Sequence, residues 1–324
     1  MKAREELAVP PAEFRSYYGR PVLKPPVWEW RIPAYLFTGG LAAGSALLAA
    51  GADLTGRPAL RRVGRLGSFG ALLASLYLLV ADLGRPERFH HMLRVAKPTS
   101  PMSIGTWILT AFGPGSAVAA AAELLPERWF PETRWTGRLL TLAARPAGLS
   151  AAALAPGVAS YTAALLAQTA VPAWSEARHE LPFVFTGSAA ASGAGLGLLA
   201  APVSEAAPAR RLAVMGAAGE LAASFLIDRK PELPARAYTT GRAHRLRRWS
   251  EVLTLGGAVL AVTAARRSRP AAAVAGLALL GGSALQRFGV FEAGAASTKD
   301  PKYVVVPQRE RVAARQAADG AGQE

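Results

Sequence analysis

The 324-residue chain has no cysteine. It can therefore form no disulfide and hold no iron-sulfur cluster of the usual thiolate-ligated kind. It has four histidines, and His90, His91, His179 and His244 all lie between the long apolar runs. A haem inside a membrane bundle needs axial ligands that face each other from the helices, so this distribution excludes a b-type cytochrome. The apolar runs show no residue-by-residue alternation, which excludes a transmembrane barrel. The first 30 residues contain no apolar stretch, so no cleavable signal peptide is expected and insertion falls to the first apolar run.

What the chain does have is Ala, Leu and Gly in long stretches. The hydrophobic fraction is 51% and the mean hydropathy is +0.21. Eight runs are long enough to cross about 30 Å of hydrocarbon: residues 32–51, 67–83, 103–124, 148–172, 183–202, 211–227, 249–265 and 271–288. Backbone polar groups in lipid must be satisfied within the segment, so each run is expected to be a helix and the fold class all-α and polytopic. The net charge of +15 comes from arginines placed between the runs. There they orient helices and touch anionic membrane lipid, and they do not form a nucleic-acid surface.

The chain partly repeats itself. Phe-Thr-Gly-Gly-Leu-Ala-Ala-Gly at 37–44 returns as Phe-Thr-Gly-Ser-Ala-Ala-Ala-Ser-Gly at 185–193. Leu-Ala-Ser-Leu-Tyr-Leu-Leu-Val-Ala-Asp-Leu-Gly-Arg-Pro at 73–86 likewise resembles Leu-Ala-Ala-Ser-Phe-Leu-Ile-Asp-Arg-Lys-Pro at 221–231. An offset of four helices keeps both copies in one orientation, so the expected architecture is two parallel-repeat four-helix bundles. The divisions are a polar segment 1–31, a first bundle 32–172, a second bundle 173–289 and a polar tail 290–324. Small-residue stripes such as Gly39/Gly40/Gly44 and Gly193/Gly197 read as close helix packing.

With eight crossings both termini share one face, the N side. It holds 24 of the 37 lysines and arginines, and the positive-inside rule makes it cytoplasmic. The same face gathers unusual polar residues at helix ends: Glu29 and Arg31, Asp82 and Arg85, Ser103, Gln168, Glu180, Asp228 with Arg229, and Arg287. Snorkelling anchors explain such residues singly, but less well the acid-base pairs gathered on one face. Deeper lie Tyr161 and Glu220. A carboxyl in hydrocarbon must be paired, wetted or protonated, so Glu220 is a candidate proton relay, with a structural hydrogen bond as the other reading.

Three motifs in order, Pro-Val-Trp-Glu-Trp-Arg-Ile-Pro-Ala-Tyr-Leu-Phe-Thr-Gly-Gly (26–40), Asp-Leu-Gly-Arg-Pro-Glu-Arg-Phe (82–89) and Lys-Pro-Thr-Ser-Pro-Met-Ser-Ile-Gly-Thr-Trp (97–107), resemble the NrfD/polysulfide reductase membrane-subunit family. So does the tail at 291–309. The resemblance implies a haem-free subunit in the bacterial plasma membrane. Such a subunit exchanges electrons between a quinone, menaquinone first and ubiquinone second, and a docked four-cluster ferredoxin-like iron-sulfur subunit, which in turn serves a molybdopterin-type catalytic subunit. It further implies a quinone pocket in the first bundle near the docking face.

Carried onto this chain, the implied pocket takes Trp28, Tyr35, Ser103, Tyr161 and Gln168 as quinone contacts. Glu29, Asp82 and Glu220 handle protons, while Arg85 and Asp228 position. Some members place a histidine at the mouth of the first helix; this chain has none there. Two readings of other classes remain: a small-solute or ion transporter, which needs broken helices around a mid-membrane cavity, and a passive anchor, which needs no polar pocket beside the first helix.

Overall fold

The computed structural model describes residues 22–125 and 135–321, with side chains to 316. Most of the polar N-terminal segment, residues 1–21, and the last three residues of the tail lie outside the described residues. Among the described residues the chain is helical, with no strand. Eight long helices carry the architecture: α1 Arg31–Leu54, α2 Pro58–Ala81, α3 Pro101–Leu124, α4 Trp135–Ala167, α6 Leu181–Ala200, α7 Ala207–Asp228, α8 Gly241–Val262 and α9 Arg269–Lys299. A short α5, Pro172–Glu176, separates the halves, α10, Lys302–Ala321, follows α9, and 3-10 turns occupy Pro86–Leu93 and Leu233–Thr239.

Helix starts are written locally. Pro58, Pro101, Pro182, Pro208 and Pro270 sit in first turns, where a missing N–H costs nothing. Ser100 and Ser268 cap α3 and α9 by accepting from the Ser103 and Ala271 amides. Arg269 donates to the last carbonyls of α6, at Leu198 and Ala201, which places a cation at the negative end of that helix.

In the first half α1 packs on α2 and α4, and α3 packs on α2 and α4. In the second, α6 packs on α7 and α9, and α8 on α7 and α9. The seam between the halves is mainly α1 against α6. At its centre a Cβ on Gly44 would overlap the Ala189 carbonyl, and one on Gly193 would overlap the Gly44 backbone. The related glycine stretches thus meet each other, backbone to backbone, as small residues allow in membrane helices.

Among the described residues six helices are long and apolar enough to cross a membrane: α1, α2, α3, α4, α6 and α9. The other two long helices, α7 and α8, fall short on average because they carry more polar residues, some at their exposed ends, such as Arg211, Arg242, Arg245 and Arg248, and others facing inward. Glu220 and Ser224 of α7, and Arg247, Ser250 and Thr254 of α8, are buried, whereas Val214, Met215, Phe225, Leu226, Trp249, Val252, Leu255 and Val259 are exposed.

Each long helix overlaps one expected run, but several extend further. α2 begins at Pro58, α4 at Trp135 and α8 at Gly241, and α9 ends at Lys299. Hydropathy stops at the first charge, whereas the helix continues through it. Three expectations change as a result. His244 belongs to the first turn of α8, and Arg287 is no end residue but is fully buried within α9. The densest ion-pair network lies on the face opposite the N side. There Arg61 and Arg65 both reach Glu123, at 2.8 and 3.1 Å, and both reach Asp53, at 3.6 and 3.4 Å; Arg145 joins Asp53 at 3.6 Å.

Candidate functional site

A cavity of about 200 Å³ opens in the first half near the N side. Trp28, Ile32, Tyr35 and Leu36 wall it from α1 and its approach, Leu79, Asp82 and Leu83 from the end of α2, and Met92 from the 3-10 turn. Met102, Thr106 and Leu109 of α3 and Tyr161, Leu165 and Leu166 of α4 complete it. All four helices of this half contribute, and the lining is apolar apart from two phenols, one threonine and one carboxyl.

The phenols face each other. Tyr35 and Tyr161 are 126 residues apart, 4% and 9% exposed, and their hydroxyls are hydrogen-bonded. Within such a pair one hydroxyl donates to the other, so a single O–H is left to donate elsewhere. Gly105 makes room for this: a Cβ there would strike the Tyr161 ring. Ser75 of α2 reaches the Tyr35 carbonyl at 3.5 Å, tying the α1 turn that carries the phenol to its neighbour.

Asp82 is the C-cap of α2 and is half-buried at the cavity mouth. Burial raises its carboxyl above the ordinary carboxylate value; the charge of Arg31 opposes this and that of Glu29 adds to it. Among the described residues it has no ion pair. The raised value makes it a group able to hold and release a proton nearer neutrality than an exposed aspartate.

Trp28 forms the outer wall. Its ring stacks on Trp174 of α5 at 5.9 Å, and Trp174 meets Phe291 of α9 at 5.8 Å. Trp174 is fully buried and donates through Nε1 to the Val290 carbonyl at 2.8 Å. A row of three aromatics thus joins the chain's entry segment to both halves.

The structure brings Trp28, Tyr35, Asp82 and Tyr161 to one cavity and places the other candidates elsewhere. Glu29 is 65% exposed and lies 3.6 Å from Arg31; it reaches the site only through its charge on Asp82. Ser103 donates to the Val95 carbonyl at 3.0 Å and accepts the Lys97 amide at 2.9 Å, so it braces the loop ahead of α3. Gln168 lies beyond the end of α4 and is exposed. Arg85 is exposed, and its expected pairing with Asp82 or Glu87 is absent among the described residues.

Asp228, exposed at the end of α7, and Glu220, buried within it, belong to a second polar cluster in the other half. Arg247, 1% exposed, donates to Asp228 at 2.5 Å and to the carbonyls of Tyr238 and Ser224 at 3.2 and 3.4 Å. Gln286 donates to the Ser224 hydroxyl at 3.1 Å. Deeper, Ser250 reaches Glu220 Oε1 at 3.3 Å and the Gly282 carbonyl at 2.7 Å. Arg287 donates to the Phe185 carbonyl at 2.7 Å and lies over the Phe185 ring. Glu220 Oε2, Thr254 Oγ1, and Arg287 Nε and Nη1 have no protein partner, and buried polar atoms of this kind call for water. The sequence reading missed Arg247 and Trp174 and placed Arg287 at a helix end. Both arginines resemble ordinary basic flanks, and nothing local marks a tryptophan as fully buried.

Residues 22–297 match the family model described as Polysulphide reductase, NrfD. Over 150 residues, 43% of this chain and 47% of the relative, the sequence is 31% identical to a component of the polysulfide reductase of Wolinella succinogenes. It is also 38% identical over 79 residues to a component of the selenate reductase of Mesobacillus selenatarsenatis, covering 24% of this chain and 18% of that relative. The matches thus span about half of one relative and under a fifth of the other. The match to the family model takes in α1 to α8 and nearly all of α9, and with them every residue that walls the cavity: the chain is a multi-pass membrane protein that belongs to the NrfD polysulphide reductase family.

Proposed function

We propose that this chain is the haem-free, quinone-reactive membrane subunit of a respiratory oxidoreductase complex, passing electrons between a quinone pool, menaquinone first, and a docked iron-sulfur subunit that serves a molybdopterin-type catalytic subunit. The observation that carries the reading is the cavity walled by Trp28, Tyr35, Asp82 and Tyr161. Its apolar walls suit a planar ring, its size suits a headgroup whose tail lies between helices, and its polar groups are those a quinone needs. The quinone supplies the two-electron, two-proton chemistry when bound. The O–H left over from the Tyr35–Tyr161 pair donates to a carbonyl oxygen of the ring. Asp82 exchanges protons with the N-side water, and Trp28 closes the ring off from it.

Eight crossings in two four-helix units belong to the same reading. The apolar outer faces of α7 and α8 support their crossing despite their polar averages, since in a bundle the inward residues are sheltered from lipid. The open grooves on the N side, of about 620 Å³ against α10 and about 500 Å³ beside Trp28, suit docking of the partner there. The polar series from exposed Asp228 inward through Arg247, Ser224 and Gln286 towards Arg287 and Glu220 supports coupled proton movement in the second half.

A transporter is the second reading, favoured by that buried carboxyl alone. The helix bearing it is unbroken from Ala207 to Asp228, unlike the discontinuous helices of such carriers.

The test is isolation of the chain from its native membrane with whatever subunits accompany it, followed by oxidation of the cluster-bearing subunit by added quinone. A cluster-bearing partner that is oxidised by quinone in wild type, and slowly in Tyr161→Phe, is the expected result. A chain that purifies alone and whose Tyr161→Phe and Asp82→Asn variants support wild-type quinone turnover in membranes would overturn the reading.

A further inference from the structure

On the face opposite the N side, a groove of about 500 Å³ runs between the start of α7 and the end of α8. Arg210, Arg211 and Arg266 line its rim, and Val214, Met215 and Val262 line its wall. Met215 is 71% exposed. The arginines act on one another: the charges of Arg266, Arg57 and Arg211 all bear on Arg210. Among the described residues none of these four is ion-paired with an acid. The carboxylate of the adjoining turn, Glu205, accepts the Leu60 amide at 3.1 Å, and Arg57 and Arg210 donate only to the Ser204 and Val203 carbonyls.

A cluster of like charges with no counter-ion is costly, and it contrasts with the network on the same face where Arg61, Arg65 and Arg145 share Asp53 and Glu123. Arg211 and Arg266 are exposed, so an external anion can reach the cluster and relieve the repulsion. Guanidinium forks match phosphate oxygens in pairs. The rim of such forks lies where the outer faces of α7 and α8 leave the membrane, and the wall below it is apolar. An anionic amphiphile satisfies both parts at once.

We infer that this groove is a binding site for an anionic phospholipid, with the phosphate held by Arg210, Arg211 and Arg266 and an acyl chain lying over Val214, Met215 and Val262. The inference rests on α7 and α8 crossing the membrane, as proposed above.

The test is native mass spectrometry of the delipidated full chain, titrated separately with dioleoyl phosphatidylglycerol, dioleoyl phosphatidylcholine and inorganic phosphate. Wild type is expected to take up one phosphatidylglycerol in preference to phosphatidylcholine, with inorganic phosphate competing weakly. Arg210→Gln/Arg211→Gln/Arg266→Gln should lose at least about tenfold in phosphatidylglycerol affinity. The corresponding lysine triple should lose less, and Arg94→Gln/Arg178→Gln, on the other face, nothing. Should the glutamine triple fail to fold, the lysine triple and a Met215→Gln variant carry the test through headgroup selectivity and chain affinity.

Equal uptake of both lipids, wild-type affinity in the glutamine triple, equal loss in the Arg94/Arg178 control, or phosphate binding as tight as the lipid would each overturn the site. Because the chain has no cysteine, Leu226→Cys and Val259→Cys report the crossing separately. Labelling of either by a water-soluble maleimide in intact membranes would refute the helix placement, whereas protection with no lipid preference would refute the lipid site alone.

Discussion

The two halves answer the same local sequence differently. Asp82 closes α2 and Asp228 closes α7, in stretches that resemble each other. Asp82 borders a cavity and is without an ion pair among the described residues, whereas Asp228 is locked to buried Arg247 at 2.5 Å. Beneath Asp82 lie two phenols and an open volume; beneath Asp228 lie Gln286, Arg287 and Glu220 in a buried polar core. A carboxylate with its guanidinium is spoken for, and one without is available to exchange a proton. Under the proposed function, the half with the open cavity takes the ligand and the half with the Asp228–Arg247 pair holds the frame.

The most severe way to break this contrast is to unplug the second half. Arg247→Met leaves the Tyr238 and Ser224 carbonyls without their donor and Asp228 without its guanidinium, and is expected to cost about 1–3 kcal/mol in the thermal unfolding of the detergent-solubilised chain. Adding Asp228→Leu should recover much of it, while Asp82→Leu in the first half should cost under about 1 kcal/mol. Comparable losses at Asp82 and Arg247 would erase the distinction.

Tyr161→Phe tests the hollow half. Removing the hydroxyl should lower quinone turnover on the order of a hundredfold while leaving the melting temperature close to wild type. A fall in both would make the phenol pair a structural brace.

The seam comes next. Gly44→Val drives a side chain into the Ala189 carbonyl and is expected to cost about 1–3 kcal/mol, measured by the same unfolding. Gly51→Val in the same helix, with open space around it, should cost less.

The smallest effect is a pH slope. Burial keeps Asp82 protonated to higher pH in the folded chain than in the unfolded one. The folded state therefore carries more protons from the ordinary value of 3.8 up to the raised value, and stability declines as pH rises through that interval. Asp82→Asn should flatten this decline in melting temperature, and an unchanged slope would assign the titration elsewhere.

Much of this was legible in the order of residues. Apolar runs located the helices; the related stretches 37–44 and 185–193 read as a repeat, and the structure adds that their helices meet, at Gly44 and Gly193. The helix-end reading found Asp82, and the family resemblance picked out Tyr35 and Tyr161 before any geometry joined them. What stayed hidden depended on facing. Glu29 and Ser103 share the N side with the cavity yet turn away from it, because proximity to a helix end does not say which way a side chain points. Arg247 and Arg287 read as flanks because burial in a bundle is set by neighbours 19 to 102 residues distant. The inverted faces of α7 and α8 defeat any average over the segment.

One indole has a consequence of its own. Trp28 walls the inner cavity and also lines the outer groove with Trp174. Under the proposed function that shared partition is a route for coupling: a partner segment that settles against residues 23–28 and shifts the ring would alter the affinity of the inner chamber for quinone, and bound quinone would then alter the outer affinity by the same factor.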